Sequence, residues 1–289
     1  MDYGAAYERG DGLVIAGARH FVPGEVLDNG QAFRFAQESP FCFSGIAHGR
    51  RLEIRAEGSD IVLKGVSLAE FGAVWREYFD LGRDYGALRA FLLDECSGFP
   101  IMRMAIEHSP GLRMMKQDPW EALVSFILSQ NANIPRIKGM VARLCERFGE
   151  RLPCGGHAFP PAARLAALSS AEEMAFVKCG YRAGYILDAA RAGPDFGRLG
   201  RMETAGLRAE LMKIRGVGPK VADCALLMGF GRTEACPQDV WMKRVMARHF
   251  PGGFPESVLP YAGIAQQFLF QFVRSPAGIG ALANSPPSC

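Results

Sequence analysis

The sequence predicts an α+β protein in which a small N-terminal antiparallel β-sheet domain precedes an all-helical region containing a helix-hairpin-helix. Three short segments, at 41–47, 51–56 and 61–65, partly alternate apolar and polar residues and are separated by turn sequences. That pattern is typical of a meander of antiparallel strands. From about Leu68 the apolar residues recur with helical spacing, and helical patterns dominate after residue 110.

These changes of pattern divide the chain into three parts. We predict a sheet domain with flanking helices over 1–109 and a helical region over 110–274. The remaining stretch, 275–289, is rich in Gly, Ala, Ser and Pro and is predicted to be a flexible tail.

Composition excludes several classes of protein. About half of the 289 residues are apolar, enough for a real core. No run of 18 apolar residues occurs, so no membrane span is predicted. The N-terminus, MDYGAAYERGDG, lacks the apolar region of a secretory signal. We expect a monomer in the cytoplasm, or in the nucleus of a eukaryotic host.

The cysteines and histidines do not form a ligand pattern. Eight cysteines are scattered without a C-x-x-C pair, and five histidines are equally dispersed. Only Cys289 follows Cys236, which excludes a C-terminal four-cysteine iron–sulfur loop. We expect no metal, no iron–sulfur cluster and no other cofactor.

Charge is distributed unevenly along the chain. Residues 1–109 hold 11 Lys and Arg against 16 Asp and Glu, whereas residues 110–289 hold 22 against 14. Sixteen of those 22 are arginine, which suits bidentate contacts to phosphates and bases. A basic C-terminal part favours nucleic-acid binding. The alternative is that the imbalance of charge is a chance fluctuation of composition.

Local signals mark where several helices begin. Asp118, Pro119 and Glu121 supply an N-cap, a proline at the first helical position and an acid in the first turn. Residues 134–148 carry an apolar stripe of helical period, and Ser170–Glu173 has the capping-box pattern.

A glycine hairpin at Gly216, Val217 and Gly218 separates a predicted helix at 207–214 from a second helix beginning at Pro219. Glycines leave the backbone N–H groups uncovered. Those groups and the positive end of the second helix are predicted to bind a DNA phosphate. Such a contact does not depend on the base sequence of the DNA.

Lys220 follows the hairpin on the first turn of the second helix, where the helix dipole disfavours the charged ammonium. A neutral amine is the form that attacks carbon, although a lysine there is also compatible with phosphate contact. Asp239, a natural N-cap after Pro237, offers a carboxylate that can stabilise a cationic sugar. Cys224 shares the helix face of Lys220, and its alternative role is core packing.

The segment 211–240 resembles the eukaryotic-type 8-oxoguanine DNA glycosylase/AP lyase family, in which a hairpin lysine and the aspartate of P-x-D-V are the catalytic pair. The resemblance spans roughly residues 20–275 and places the protein in the helix-hairpin-helix glycosylase superfamily. It implies that Lys220 attacks the sugar C1′, expels the base, forms a Schiff base and promotes β-elimination. Asp239 assists as the base leaves.

Two further segments resemble this family on the side of the opposite base. SQNANIPRI begins at Ser129 and CGYRAGYI begins at Cys179. The resemblance implies that Asn131 fills the gap left by the flipped base, that Tyr181 wedges the stack, and that Arg136 and Arg182 read the estranged cytosine. Turn chemistry and ordinary packing are the alternative roles.

Three positions are implied by the resemblance to form the lesion pocket together with Cys224. Gly30, in DNGQAFRF, presents a carbonyl to the N7–H of oxidised guanine; Gln266 bonds a base edge, and Phe270 stacks on the ring. A turn at Gly30 and core packing of the other two are the alternatives. Ala132 and Trp241 depart from the family's asparagine and histidine.

The expected partner is double-stranded DNA containing oxidised guanine opposite cytosine. A glycosylase of the same fold for alkylated or other damaged bases is the nearest alternative. A non-catalytic helix-hairpin-helix DNA-binding module is the alternative from a different class, and the pairing of Lys220 with Asp239 speaks against it.

Overall fold

The computed structural model describes residues 1–284 of the chain, with the side chains of residues 1–280. Its N-terminal part contains one six-stranded antiparallel sheet in the order β1-β2-β6-β5-β4-β3. The strands are β1 Ala5–Arg9, β2 Gly12–Ala16, β3 Phe35–Ser39, β4 Cys42–Ala47, β5 Arg50–Glu57 and β6 Asp60–Lys64.

The three predicted strands are confirmed as β4, β5 and β6, and three more were missed. Strand β2 is buried along almost its whole length, so its apolar run GLVIA shows no alternation. Strands β1 and β3 lie at the two edges of the sheet and are largely exposed, so they need few apolar residues. Period-two alternation marks only strands with one buried face.

The sheet buries one face against a short helical layer. This layer comprises α1 Pro23–Leu27, α2 Leu68–Glu70, a π-helical turn Phe71–Trp75 and α3 Arg76–Tyr78. Trp75 is fully buried against Leu13, Leu52 and Leu63 of the sheet in one apolar cluster.

The rest of the described chain is helical. The α-helices are α4 Tyr85–Glu95, α5 Pro100–His108, α6 Pro119–Leu128, α7 Ile134–Phe148, α8 Ala162–Ala166, α9 Arg182–Ala192, α10 Phe196–Leu199, α11 Thr204–Met212, α12 Pro219–Phe230, α13 Val240–His249, α14 Ala262–Val273 and α15 Pro276–Asn284. Two 3₁₀ helices, Ala171–Val177 and Glu256–Tyr261, complete the set.

The predicted helix starts are confirmed. Asp118 caps α6 by accepting from the Glu121 N–H, with Pro119 at the first position. Ser170 and Glu173 form a full capping box, although the helix they start is 3₁₀ rather than α. The helix before the hairpin is α11, which begins and ends slightly earlier than the predicted 207–214.

Two separate apolar clusters show how the layers divide. The sheet cluster runs from Leu13 to Leu81 and adds Met115. The helical cluster already includes Tyr85 and the buried faces of α4 and α5. Helices α4 and α5 therefore pack with the helical region. The domain boundary at 109/110 remains a prediction, and it does not coincide with the division between the two apolar clusters.

The tail prediction needs a correction. Residues 276–284 form helix α15, which Ser275 starts by accepting a hydrogen bond from the Gly278 N–H at 3.1 Å. Gly278 lies so close to Phe272 that an added Cβ would meet the Phe272 carbonyl oxygen at 2.0 Å. Small residues here allow close helix packing. Residues 285–289 lie outside the described part of the chain.

Within the described residues, no helix is both long enough and apolar enough to cross a membrane. Over the same residues, no three His, Cys, Asp or Glu side chains are grouped so that they could hold a metal ion.

Candidate active site

A cavity of about 590 Å³ opens where α6, α12, α13 and α14 meet the loop at Gly30. Seven of the predicted site residues line it: Gly30, Asn131, Lys220, Cys224, Asp239, Gln266 and Phe270. They come from five separate segments of the chain. The tertiary fold therefore brings the predicted nucleophile, carboxylate and lesion pocket to one place.

Lys220 projects into this cavity from the first turn of α12. Its Nζ donates a hydrogen bond to Ser129 Oγ at 3.1 Å and lies 5.3 Å from the centre of the Phe126 ring. The Ser129 hydroxyl in turn donates to the Phe126 carbonyl oxygen at 2.7 Å. Because that proton is committed, Ser129 presents only lone pairs to the amine, which fixes the direction of Lys220.

Cys224 lies one turn further along α12 and is buried. Burial raises the pKa of its thiol, and the neighbouring Lys220 opposes that shift. The protonated thiol is therefore the favoured form at neutral pH. Cys224 therefore contributes a small, uncharged side chain to the lining of the cavity, near the Lys220 amine.

Asp239 is the N-cap of α13, as predicted. Its Oδ1 accepts from the Met242 N–H at 2.8 Å, which fixes the carboxylate at the cavity wall. An N-cap uses only part of the four lone-pair sites of a carboxylate, so capacity remains for a second partner. Capping and a charge-stabilising role are compatible here.

Three further predicted lesion-pocket residues, Gly30, Gln266 and Phe270, line the same cavity. Gly30 has φ +92°, and an added Cβ would lie 3.0 Å from Ile134 Cδ1, so both conformation and space favour glycine. Gln266 is buried, and its Oε1 accepts from Gln267 Nε2 at 2.7 Å. The half-buried Phe270 ring carries the Arg274 guanidinium at 4.9 Å.

The glycine hairpin lies beside the cavity and is supported by Tyr185. Gly216 has φ +86°, and an added Cβ would meet Tyr185 Cγ at 2.2 Å. The Gly216 carbonyl accepts from Gln130 Nε2 at 3.1 Å. Gly218 is exposed, and an added Cβ there would meet no atom within 4 Å.

Val217 behaves differently from the two glycines. Its side chain is buried, and its N–H donates to the Ile214 carbonyl at 3.0 Å. It therefore anchors the hairpin in the core rather than presenting its own N–H to a phosphate. The predicted phosphate site is left to the backbone of the glycines and the start of α12.

Among the residues predicted to act at the opposite base, Asn131 and Tyr181 form a pair. Asn131 Nδ2 donates to the Tyr181 hydroxyl at 3.1 Å, and both side chains are exposed. Asn131 has φ +49°, in the left-handed region that non-glycine residues adopt uncommonly. Arg136 is exposed at the start of α7, close in sequence to Asn131.

Arg182 is buried and engaged within the protein. The side chain is 3% exposed and bonds backbone carbonyls instead of facing outward. Nε donates to Gln130 O at 2.7 Å, Nη1 to Cys179 O at 3.0 Å and Nη2 to Asn131 O at 3.2 Å. Direct contact with an opposite base stays a prediction.

Residues 14–123 match a family model described as the 8-oxoguanine DNA glycosylase N-terminal domain. Residues 124–253 match the HhH-GPD superfamily of base excision DNA repair proteins. Clostridium acetobutylicum 8-oxoguanine glycosylase/lyase, solved with dsDNA containing cytosine opposite 8-oxoG, is 30% identical with a TM-score of 0.85. That match covers 95% of this chain and 99% of the other.

A structure of MBOgg1 in complex with a low-affinity DNA ligand is similar at 35% identity and a TM-score of 0.86. The match covers 95% of this chain and 99% of that one. This chain belongs to the 8-oxoguanine DNA glycosylase family. The predicted family and the α+β fold with its helical region are thereby confirmed.

A Saccharomyces cerevisiae N-glycosylase/DNA lyase is 35% identical over 158 residues, which are 48% of this chain and 42% of that protein. Across the first curated relatives, the match spans between 40 and 62% of their length.

In this member of the 8-oxoguanine DNA glycosylase family, the sequence reasoning missed three cavity residues. Ser129 begins the SQNANIPRI segment but was given no role, although it bonds Lys220 directly. Phe126 belongs to the apolar stripe of α6. In the sequence, a ring that contacts the Lys220 amine cannot be distinguished from a ring that packs in the core. Arg274, at the cavity mouth, had no motif around it.

The two departures from the family pattern also lie at this cavity. Ala132 and Trp241 are both in its lining. Trp241 is partly exposed, and the Arg244 guanidinium lies 5.7 Å from its ring centre. The Arg244 cation therefore lies near the Trp241 indole, at the position where the family has histidine.

Proposed function

We propose that the protein is a bifunctional DNA glycosylase/AP lyase that removes 8-oxoguanine opposite cytosine from double-stranded DNA. The observation that carries this proposal is the position of Lys220. Its amine is held between Ser129 and Phe126 at the wall of a cavity that also contains Asp239. A cavity of about 590 Å³ is of the size that holds a small molecule or an extruded base.

The reaction follows from the groups in the cavity. The neutral amine of Lys220 attacks the sugar C1′, the bond from C1′ to the base breaks, and the base leaves with its electron pair and takes up a proton. The Asp239 carboxylate stabilises positive charge on the sugar as the bond breaks. The nitrogen now on C1′ gives up one proton, the bond from C1′ to O4′ breaks, and O4′ takes up a proton, which opens the sugar ring and leaves a protonated Schiff base. Removal of a C2′ proton then expels the 3′ phosphate.

Recognition of the lesion rests on Gly30, Gln266 and Phe270, which line the same cavity as Lys220. The Gly30 carbonyl suits the N7–H that guanine acquires on oxidation and disfavours the N7 acceptor of normal guanine. The bond from Gln267 occupies Gln266 Oε1 and leaves the Gln266 amide nitrogen as a donor to a base edge. Phe270 supplies the stacking face.

The decisive experiment is borohydride trapping. Wild-type protein is incubated with an 8-oxoguanine·cytosine duplex and sodium borohydride, and we expect a covalent protein–DNA adduct. Lys220→Gln should give none. Lys213→Gln is the matched control because Lys213 is an exposed lysine on the other side of the hairpin, paired with Glu210 at 2.7 Å.

Two results contradict the proposal in different ways. Absence of trapping by wild type, or unchanged trapping by Lys220→Gln, removes the lyase assignment. Faster excision of alkylated bases than of 8-oxoguanine, measured on matched duplexes, moves the protein to the alternative glycosylase class. Binding without excision of any damaged base would favour the non-catalytic module.

A further inference from the structure

Three consecutive residues, Ser129, Gln130 and Asn131, connect the nucleophile to the opposite-base side. Ser129 Oγ accepts from Lys220 Nζ, as described above. The Gln130 side chain donates to the hairpin carbonyl of Gly216, and the Asn131 side chain donates to Tyr181. We refer to residues 129–131 as the positioning segment.

Arg182 contacts the backbone of this segment through hydrogen bonds to its carbonyl groups. Its guanidinium donates to the carbonyls of Gln130 and Asn131, and a third bond, to Cys179, fixes it to the start of its own helix. The Tyr181 ring lies 4.6 Å from the same guanidinium. A buried arginine with these carbonyl partners is a rigid support, because its planar fork fixes the geometry of each bond.

The segment needs such support because its backbone is strained. Asn131 has φ +49°, and non-glycine residues adopt this region at an energetic cost that surrounding contacts must offset. Helix α6 ends at Leu128, so residues 129–131 have no helical bonds beyond those of the last turn. Side-chain contacts therefore add to these few backbone bonds in holding the conformation of the segment.

We propose that Ser129 is a positioning residue for Lys220, and that Arg182 holds the positioning segment so that excision depends on an intact opposite-base side. This inference rests on the proposed lyase function of Lys220. It gives Arg182 a role in the rate of base loss with every opposite base, in addition to any contact with cytosine. Ser129 acts through the direction of the amine, because its hydroxyl is bonded to Lys220 and to the Phe126 carbonyl.

The first test concerns Ser129. Ser129→Ala removes the acceptor for Lys220 Nζ, and we expect single-turnover excision to slow roughly 10- to 100-fold, as for a slightly misplaced catalytic group. Duplex affinity should stay within about twofold, since no DNA contact is lost. Ser129→Thr keeps the hydroxyl and should restore most of the rate. Ser125→Ala, one turn earlier on α6, is the control; Ser125 is buried, whereas Ser129 is only partly buried at the cavity.

The second test separates support from base reading. Excision by Arg182→Lys is measured on 8-oxoguanine opposite cytosine, opposite adenine and opposite an abasic site, where no base can be read. We expect roughly a tenfold or greater loss on all three, because lysine keeps the charge but cannot make the same set of carbonyl bonds. Circular dichroism and thermal unfolding show whether the variant is folded.

The outcomes are distinct from failure of the proposed function. If wild type forms no borohydride adduct, the lyase proposal fails before these variants are made. If wild type is trapped and folded Arg182→Lys loses rate only opposite cytosine, Arg182 is a base reader and the segment proposal is wrong. A Ser129→Ala variant with wild-type turnover, or a Ser129→Thr variant as slow as Ser129→Ala, also overturns it.

Discussion

Asp2 and Arg113 form a buried ion pair at 2.9 Å, although 111 residues separate them in the chain. Asp2 Oδ2 also accepts from the Tyr85 N–H, and Arg113 further donates to the carbonyls of Phe79 and Asp80. The guanidinium lies 4.2 Å from the Tyr85 ring centre. The N-terminus is thus fixed at the junction of the sheet layer and the helices.

We expect Asp2→Ala to lower the free energy of unfolding by about 3–5 kcal/mol, since it leaves the buried Arg113 charge without its partner. Denaturant unfolding followed by circular dichroism measures this. Glu57→Ala is the control, because Glu57 pairs with Arg9 on the surface at 2.6 Å. It should change stability by less than about 1 kcal/mol. Equal effects of the two substitutions would contradict the prediction.

Glu121 makes stability depend on pH. Burial raises the pKa of its carboxyl to about 7, although Arg34 lies 3.4 Å away and opposes the shift. The folded state therefore keeps this proton between the unfolded pKa near 4.5 and about pH 7, where the unfolded state has released it. The contribution of Glu121 to stability is full below the unfolded pKa and declines as pH rises to about 7.

Glu121→Gln should abolish this particular decline. We expect the difference in unfolding free energy between wild type and the variant to change by on the order of 3 kcal/mol between pH 4.5 and pH 8. Denaturant titrations at four or five pH values measure it. The other titrating groups are common to both proteins and cancel. A constant difference over this range would show that Glu121 is ionised throughout.

The two hairpin glycines should respond differently to alanine. Gly216→Ala introduces a Cβ against the Tyr185 ring at φ +86°, so we expect a loss of about 1–3 kcal/mol of stability from backbone strain, with weaker duplex binding. Gly218→Ala meets open space at φ −88° and should keep both properties near wild type. Fluorescence anisotropy with labelled duplex and thermal unfolding test the pair. Identical behaviour would exclude Tyr185 contact as the reason for glycine at 216.

Asp239→Asn separates capping from chemistry. Asparagine caps helices about as well as aspartate, so unfolding free energy should change little, whereas Asp239→Ala should cost about 1 kcal/mol. Loss of the carboxylate charge should slow single-turnover excision on the order of 100-fold, with affinity for the duplex retained. Parallel losses of rate, affinity and stability in Asp239→Asn would indicate folding damage alone.

The candidate site was predictable where a few neighbouring residues decide the conformation. Asp239 caps α13 and Pro219 starts α12, as their local sequence signals indicate. The contacts of Arg182 were not predictable, because its carbonyl partners at Gln130 and Asn131 come from another part of the chain. Edge strands β1 and β3 were not predicted for a different reason: they are largely exposed, so their sequences carry no apolar periodicity.

The sequence by itself determined the family, the α+β order and the identity of the candidate nucleophile and carboxylate, because caps, periodicity and the glycine hairpin are local. Only the tertiary structure decided what surrounds them. The Ser129 contact with Lys220 spans 91 residues and the Arg182 contact with Gln130 spans 52. Such contacts depend on how helices dock, and docking is set by the shape of the whole buried core rather than by any short segment.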